Sequence, residues 1–158
     1  MSEKLKSGYV SIVGRTNAGK STLLNNILGQ KIAITSRKPQ TTRHRFLGIK
    51  TDNNHQVIFV DTPGFHTGQK RALNRHMNKI ANNAMRGVDI VLYLVDSLNW
   101  SSEDMERVKT ISQETSIILA INKIDKVNNK NLLLPFIEER YKESIFSHII
   151  PLSALKGQ

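Results

Sequence analysis

The run Gly14-Arg15-Thr16-Asn17-Ala18-Gly19-Lys20-Ser21 directly follows an apolar stretch, and it restricts the possible folds more than any other part of the chain. It has the pattern G-x-x-x-x-G-K-[S/T]. The glycines allow backbone N–H groups to turn inward around an anion, and a helix beginning at the lysine points its positive end at the same place. Such a loop works only between a buried strand and a helix, so the segment predicts an α/β protein with a strand, this loop and a helix in succession.

The rest of the chain supplies the matching alternation. Short runs rich in β-branched and apolar residues predict strands at 8–13, 45–51, 56–61, 89–96, 116–122 and 148–152. Several are nearly continuous in apolar residues, as strands covered on both faces are. Helices are expected between them. One spans 20–28. A second spans 70–85, with Leu73, Met77, Ile80, Ala81 and Ala84 at helical spacing. A third spans 103–113 and can be capped by Ser101 or Ser102, and a fourth spans 130–141 with Leu132, Leu133, Phe136 and Ile137. Alternating strands and helices predict a doubly wound, mostly parallel six-stranded sheet with ligands beyond the C-terminal strand ends. No repeat, low-complexity tract or interdomain linker interrupts it.

Composition narrows the class. The 158 residues suit one domain with a proper core, and 39% apolar with 23% charged residues is ordinary for a globular chain. The absence of cysteine excludes disulfides and thiolate metal sites. No apolar run approaches the roughly 20 residues of a membrane-spanning helix. Residues 1–7 are charged and lack the apolar centre of a signal peptide. The net charge of +10 is localised: residues 31–50 hold six Lys/Arg, residues 66–86 hold five, and neither segment has an acidic residue. Outside them, 12 basic residues face 13 acidic ones. The five histidines show no metal-ligand spacing.

Further motifs point to one ligand. In the loop, Lys20 is placed to reach the β and γ phosphates of a nucleotide, and the Ser21 hydroxyl to bind Mg²⁺, with Thr22 beside it. Asn122-Lys123-Ile124-Asp125 ends an expected strand, where a base-binding loop belongs. A carboxylate at Asp125 accepts both the N1–H and the N2 amino hydrogens of guanine, whereas adenine presents a lone pair there; such a mismatch discriminates by ~10⁴ or more. Asn122 is placed to bond guanine N7 and tie this loop to the first one, and the Lys123 stem to lie over the base. Ser153-Ala154-Leu155 follows the last strand and can offer the Ala154 N–H to guanine O6. Asp61-Thr62-Pro63-Gly64 ends the third strand: Asp61 would hold Mg²⁺ through water and the Gly64 N–H would meet the γ-phosphate. Thr42, with Thr41 as its rival, would close the metal shell when that phosphate is present. Its loss would release both segments.

These residues resemble the translation-factor-related GTPases, and among them the bacterial Era GTPases. The run GQKIAITSRKPQTTRHR at residues 29–45 is similar to the first switch of that family and is more specific than the nucleotide motifs. The resemblance covers essentially the whole chain and implies the P-loop small-GTPase fold, with GTP or GDP as ligand and Mg²⁺ as cofactor. It also implies a role in small ribosomal subunit assembly, with GTP gating contact to ribosomal RNA of the 30S subunit. A monomer in the cytoplasm is implied as well, with peripheral association at the inner membrane as a further option. Thr16 and Ala18 stand where the family has Pro and Val; neither position supplies an obligatory side chain. The family carries an RNA-binding KH domain that nothing here resembles. Residues 1–158 therefore read as an Era-type GTPase domain without its usual last helix. That predicts uncovered apolar sheet surface and lower melting than in a form extended by that helix.

The catalytic expectation is modest. Many GTPases orient the attacking water with a Gln just after the DxxG motif; here the position is Phe65. Transition-state help then rests on Lys20, Thr42, the Gly64 N–H, the loop backbone and Mg²⁺, which predicts turnover well below ~1 s⁻¹. Some relatives seat K⁺ beside the phosphates with an Asn at the position of Asn17, which otherwise only braces the loop. Competing readings are an RNA-binding module in which nucleotide sets conformation and hydrolysis is incidental, a related tRNA-modification or ribosome-assembly GTPase, and an ATP-dependent enzyme that Asp125 argues against. Arg37, Lys38, Arg43 and Arg45 are the candidate RNA contacts.

Overall fold

The computed structural model describes residues 6–29, 45–61 and 87–158. Its elements run β1 (Lys6–Gly14), α1 (Lys20–Leu28), β2 (Arg45–Asp52), β3 (His55–Asp61), β4 (Ile90–Asp96), α2 (Ser102–Ser112), β5 (Ser116–Asn122), α3 (Leu133–Lys142) and β6 (Phe146–Pro151). The expected helix at 70–85 lies outside the described residues, as do the two threonines and most of the basic segments.

The six strands form one sheet in the order β2-β3-β1-β4-β5-β6. Every neighbouring pair is parallel except β2 with β3, which is joined by a tight turn at Asn53 and Asn54. From β1 the strand order runs one way to β3 and β2 and the other way to β4, β5 and β6. The C-terminal end of β1 is therefore the point at which the order reverses, where open sheets leave a crevice for ligands.

Side-chain alternation divides the core into two layers. Val13, Val60, Val91, Tyr93, Val95, Ile117, Leu119 and Ile121 face one way, packed with Val108 and Ile111 of α2 and with Leu133, Phe136 and Ile137 of α3. Their neighbours Ile12, Phe59, Leu94 and Ala120 face the other way against Leu23 and Leu24 of α1. The period of two along each strand thus accounts for both layers, and continuous apolar runs are what a doubly covered strand requires.

Most boundaries shift by a residue or two, and two of the shifts have a clear cause. The last helix was expected over 130–141, but Lys130–Leu132 form a 3-10 turn, with the Asn129 side chain accepting from the Asn131 N–H at 3.1 Å, and the α-helix runs Leu133–Lys142. Pro135 explains this: it lacks an N–H and fits a helix only in its first turn, so the helix begins just before it. The last strand was expected over 148–152 and runs Phe146–Pro151. Tertiary contacts recruit its early residues: Phe146 pairs with Ile117 and meets Trp100 edge-on at 6.0 Å, and the Ser147 hydroxyl donates to the Ile117 carbonyl at 3.0 Å. After β6, residues 152–158 form a turn with no helix.

Candidate nucleotide-binding site

The loop between β1 and α1 is built by close backbone approach. A Cβ on Gly14 would lie 2.3 Å from the Leu94 carbonyl oxygen, and one on Gly19 would lie 2.3 Å from Asn122 Nδ2. Gly19 also has φ +100°, the left-handed region that favours glycine. Gly19 is the N-cap of α1, and no side chain caps the helix there. The Lys20 ammonium bends back along the loop and donates to the carbonyls of Gly14 at 2.9 Å and Arg15 at 2.7 Å. Ser21 and Thr22 follow on the first turn of α1, exposed, while Ala18 is buried beneath the loop. Thr16 and Asn17 are exposed at the loop tip, with Asn17 at φ 65°.

The base loop lies next door because β4 and β5 run side by side and Asn122 ends β5 opposite Asp96. Asn122 is 2% exposed and joins three segments. Its Nδ2 donates to the Ala18 carbonyl at 2.8 Å, and its Oδ1 accepts the Ala154 N–H at 2.9 Å. The expected tie to the first loop is therefore present. The Ala154 N–H, expected to meet guanine O6, is engaged with Asn122, so an O6 contact would share or exchange that bond. Lys123 takes a left-handed backbone (φ 60°), and its ammonium donates to the Asn17 carbonyl at 2.7 Å and to Asp96 Oδ2 at 2.6 Å. That anchors the side chain across the loop, with its stem spanning the space between the two motifs.

Asp125 sits in a 3-10 turn, Ile124–Lys126. Its Oδ1 accepts the hydroxyl of buried Ser153 at 2.6 Å. This hydrogen bond holds the carboxyl below its ordinary value, with Lys156 and Lys126 adding weaker pulls in the same direction. The carboxylate is thus ionised and held by a hydroxyl, ready to accept from a ligand. Ile124 N–H donates to the Leu152 carbonyl at 3.3 Å, which pins this turn to the segment after β6; Leu155 is exposed beyond it.

Of the residues expected to bind a metal, Ser21 lies in the first turn of α1, and position 61 ends β3, the strand beside β1. A hydroxyl and a carboxylate are the kinds of hard oxygen donor that Mg²⁺ takes. Thr41, Thr42, Thr62, Pro63, Gly64 and Phe65 lie outside the described residues.

The structure adds residues that the motifs did not single out. Arg15 lies within the loop motif, and its guanidinium reaches α2 and pairs with Asp104 there. Asp96 binds the Lys123 ammonium, and an acidic residue at a C-terminal strand end was a signal that could have found it. Asn26 of α1 donates to the Ala154 carbonyl at 3.1 Å, a contact over 128 residues that no local pattern announces.

A family model described as 50S ribosome-binding GTPase matches residues 9–123. The GTPase Era of Marinobacter nauticus is 56% identical over 154 residues, covering 96% of this chain and 50% of that protein. A solved structure of Aquifex aeolicus Era bound to GDP and AlF4⁻ aligns with a TM-score of 0.76 at 42% identity, over 97% of this chain and 53% of that one. A structure of Era in complex with MgGDPNP and nucleotides 1506–1542 of 16S ribosomal RNA aligns equally well, with 42% identity, a TM-score of 0.76 and the same coverage. The chain spans about half the length of the curated relatives it matches.

Proposed function

The chain belongs to the family of 50S ribosome-binding GTPases, and from that premise we propose that it binds Mg·GTP at the β1–α1 loop and hydrolyses it slowly to GDP. Its sheet is the mostly parallel, six-stranded P-loop GTPase fold of the Era structures. The observation that carries the guanine assignment is the Asp125 carboxylate, fixed by Ser153 beside an Asn122 that bridges the phosphate loop and the Ala154 segment.

In this reading the loop backbone wraps the phosphates and the α1 N-terminus stabilises their charge. The Lys20 ammonium, already directed by the Gly14 and Arg15 carbonyls, meets the β and γ oxygens. Ser21, Asp61 and Thr42 would hold Mg²⁺, which would neutralise charge building on the phosphates. Gly64 N–H would read the γ-phosphate. Phe65 offers no group to orient water, which is why slow turnover is expected. Asn17 beside the phosphates suits K⁺ as an accessory cation; equal rates in K⁺ and Na⁺ buffers would reject that role.

For the biological role, the Era bound to 16S ribosomal RNA favours a switch in small ribosomal subunit assembly, with residues 1–158 as its GTPase domain. A cytoplasmic monomer completes the proposal. The Lys/Arg surplus at residues 31–50 and 66–86 supports an anionic partner. No helix among the described residues is long and apolar enough to cross a membrane.

Competition tests the site directly. Excess unlabelled GTP should displace labelled GTP while equal ATP does not, and Asp125→Asn should shift preference from guanine toward xanthine. Displacement by ATP, or full guanine preference in the variant, would show that the base loop has been misassigned.

A further inference from the structure

Asp104 has no part in the nucleotide motifs, yet its carboxylate is fully buried and gathers donors from three elements. It belongs to α2, where it completes a capping box with Ser101: the Ser101 N–H donates to Oδ2 at 3.0 Å and the Asp104 N–H to Ser101 Oγ at 3.4 Å. From β4, the Tyr93 hydroxyl donates to Oδ1 at 2.8 Å, and burial with the Asp104 charge beside it raises the Tyr93 pKa. From the phosphate loop, 89 residues away in sequence, Arg15 Nε donates to Oδ1 at 3.1 Å while Nη2 binds both Oδ2 and Ser101 Oγ. This two-nitrogen grip is the geometry in which a guanidinium resists rotation.

The backbone of the same arginine has a second task. Its carbonyl accepts the Lys20 ammonium at 2.7 Å and the Ala18 N–H at 3.2 Å. One residue thus joins a buried anchor in α2 to the carbonyl that directs the phosphate-reaching lysine. We infer that Arg15 is a positioning residue: by gripping Asp104 it holds the phosphate loop and Lys20 in their receiving geometry, and so sets how long a nucleotide stays bound. The inference rests on the nucleotide reading above. It concerns a side chain that contacts α2, and it makes the start of α2 part of the loop's support. A loop cut from this anchor has more conformations to lose on binding, which weakens retention without removing any ligand contact.

The test is release of a fluorescent GDP analogue from the 158-residue chain, chased with excess GDP. Failure of the unaltered chain to bind the analogue would overturn the nucleotide reading and this inference with it. Given binding, Arg15→Ala should release about tenfold faster, the scale of a lost charged hydrogen-bond pair. Arg15→Lys, which keeps the charge but not the two-nitrogen grip, should fall between the two and serves if the alanine variant does not fold. Asp104→Asn should release about as fast as Arg15→Ala, and the double variant no faster than either, because both remove one connection. Tyr93→Phe weakens the same carboxylate without touching the loop, so it should lower the melting temperature and leave release unchanged. An unaltered rate in Arg15→Ala and Arg15→Lys, additive effects in the double variant, or release from Tyr93→Phe as fast as from Arg15→Ala would each overturn the inference.

Discussion

In the proposed function, base selection turns on Asp125, and its setting gives it a definite pH behaviour. The Ser153 hydroxyl, donating at 2.6 Å, lowers its pKa from the ordinary 3.8. With the folded value below the unfolded one, the ionised form contributes stability that is fully present above about pH 3.8 and is lost as pH falls through the lowered value. Ser153→Ala should therefore move the Asp125 carboxyl midpoint upward in a carbon-detected NMR titration. A midpoint that stays in place would show that the serine does not hold the carboxylate. The glycines of the phosphate loop act at the same scale. Gly19→Ala would drive a methyl into Asn122 Nδ2 at a left-handed φ, so it should weaken both the loop and its tie to the base motif. An unchanged nucleotide affinity in that variant would contradict the crowded geometry.

At the scale of elements, α2 is a short helix whose start does more than its length suggests. Its N-cap Ser101, with Glu103 and Asp104 in the first turn, satisfies the capping box and suits the helix dipole. Ser101→Ala should cost about 1–2 kcal/mol, seen as a melting temperature lower by a few degrees. A variant as stable as the parent would mean that Asp104 alone holds the helix start. The β6 side of the sheet is tied in another way. Trp100 contacts Tyr93 at 6.2 Å and Phe146 at 6.0 Å, both edge-on, with the Arg140 guanidinium 5.0 Å above its ring. This links β4, α3 and β6 around one aromatic side chain.

For the whole molecule, the central strands carry the stability and the basic segments carry the charge. Leu119 is fully buried in β5, between β4 and β6, and Leu119→Ala should destabilise by about 3–5 kcal/mol in denaturant unfolding. A loss under about 1 kcal/mol would mean the layer collapses to fill the gap. The net charge of +10 has no acidic counterweight in residues 31–50 and 66–86. If those segments meet RNA, raising salt from 50 to 200 mM should cut RNA affinity at least about tenfold through counterion release. Binding indifferent to salt would remove the electrostatic part of the proposal.

What could be read from sequence was whatever neighbours along the chain decide. The loop from Gly14 to Ser21, helix Lys20–Leu28 and strand Ser116–Asn122 follow from local spacing, because turn chemistry, helical period and apolar runs act over a few residues. The base loop was legible for the same reason. What the fold alone decided was partnership. Strand order and register bring Asn122 to Ala18 and Ala154, Lys123 to Asp96, and Arg15 to Asp104. These are side chains 27 to 104 residues apart, and no local signal selects one distant partner among many of similar chemistry. The sequence by itself specified the two motifs proposed here as a phosphate loop and a guanine loop. Only the packed sheet, by setting β1 beside β4 and β4 beside β5, gave that phosphate loop its anchor in α2 and engaged the Ala154 N–H with Asn122.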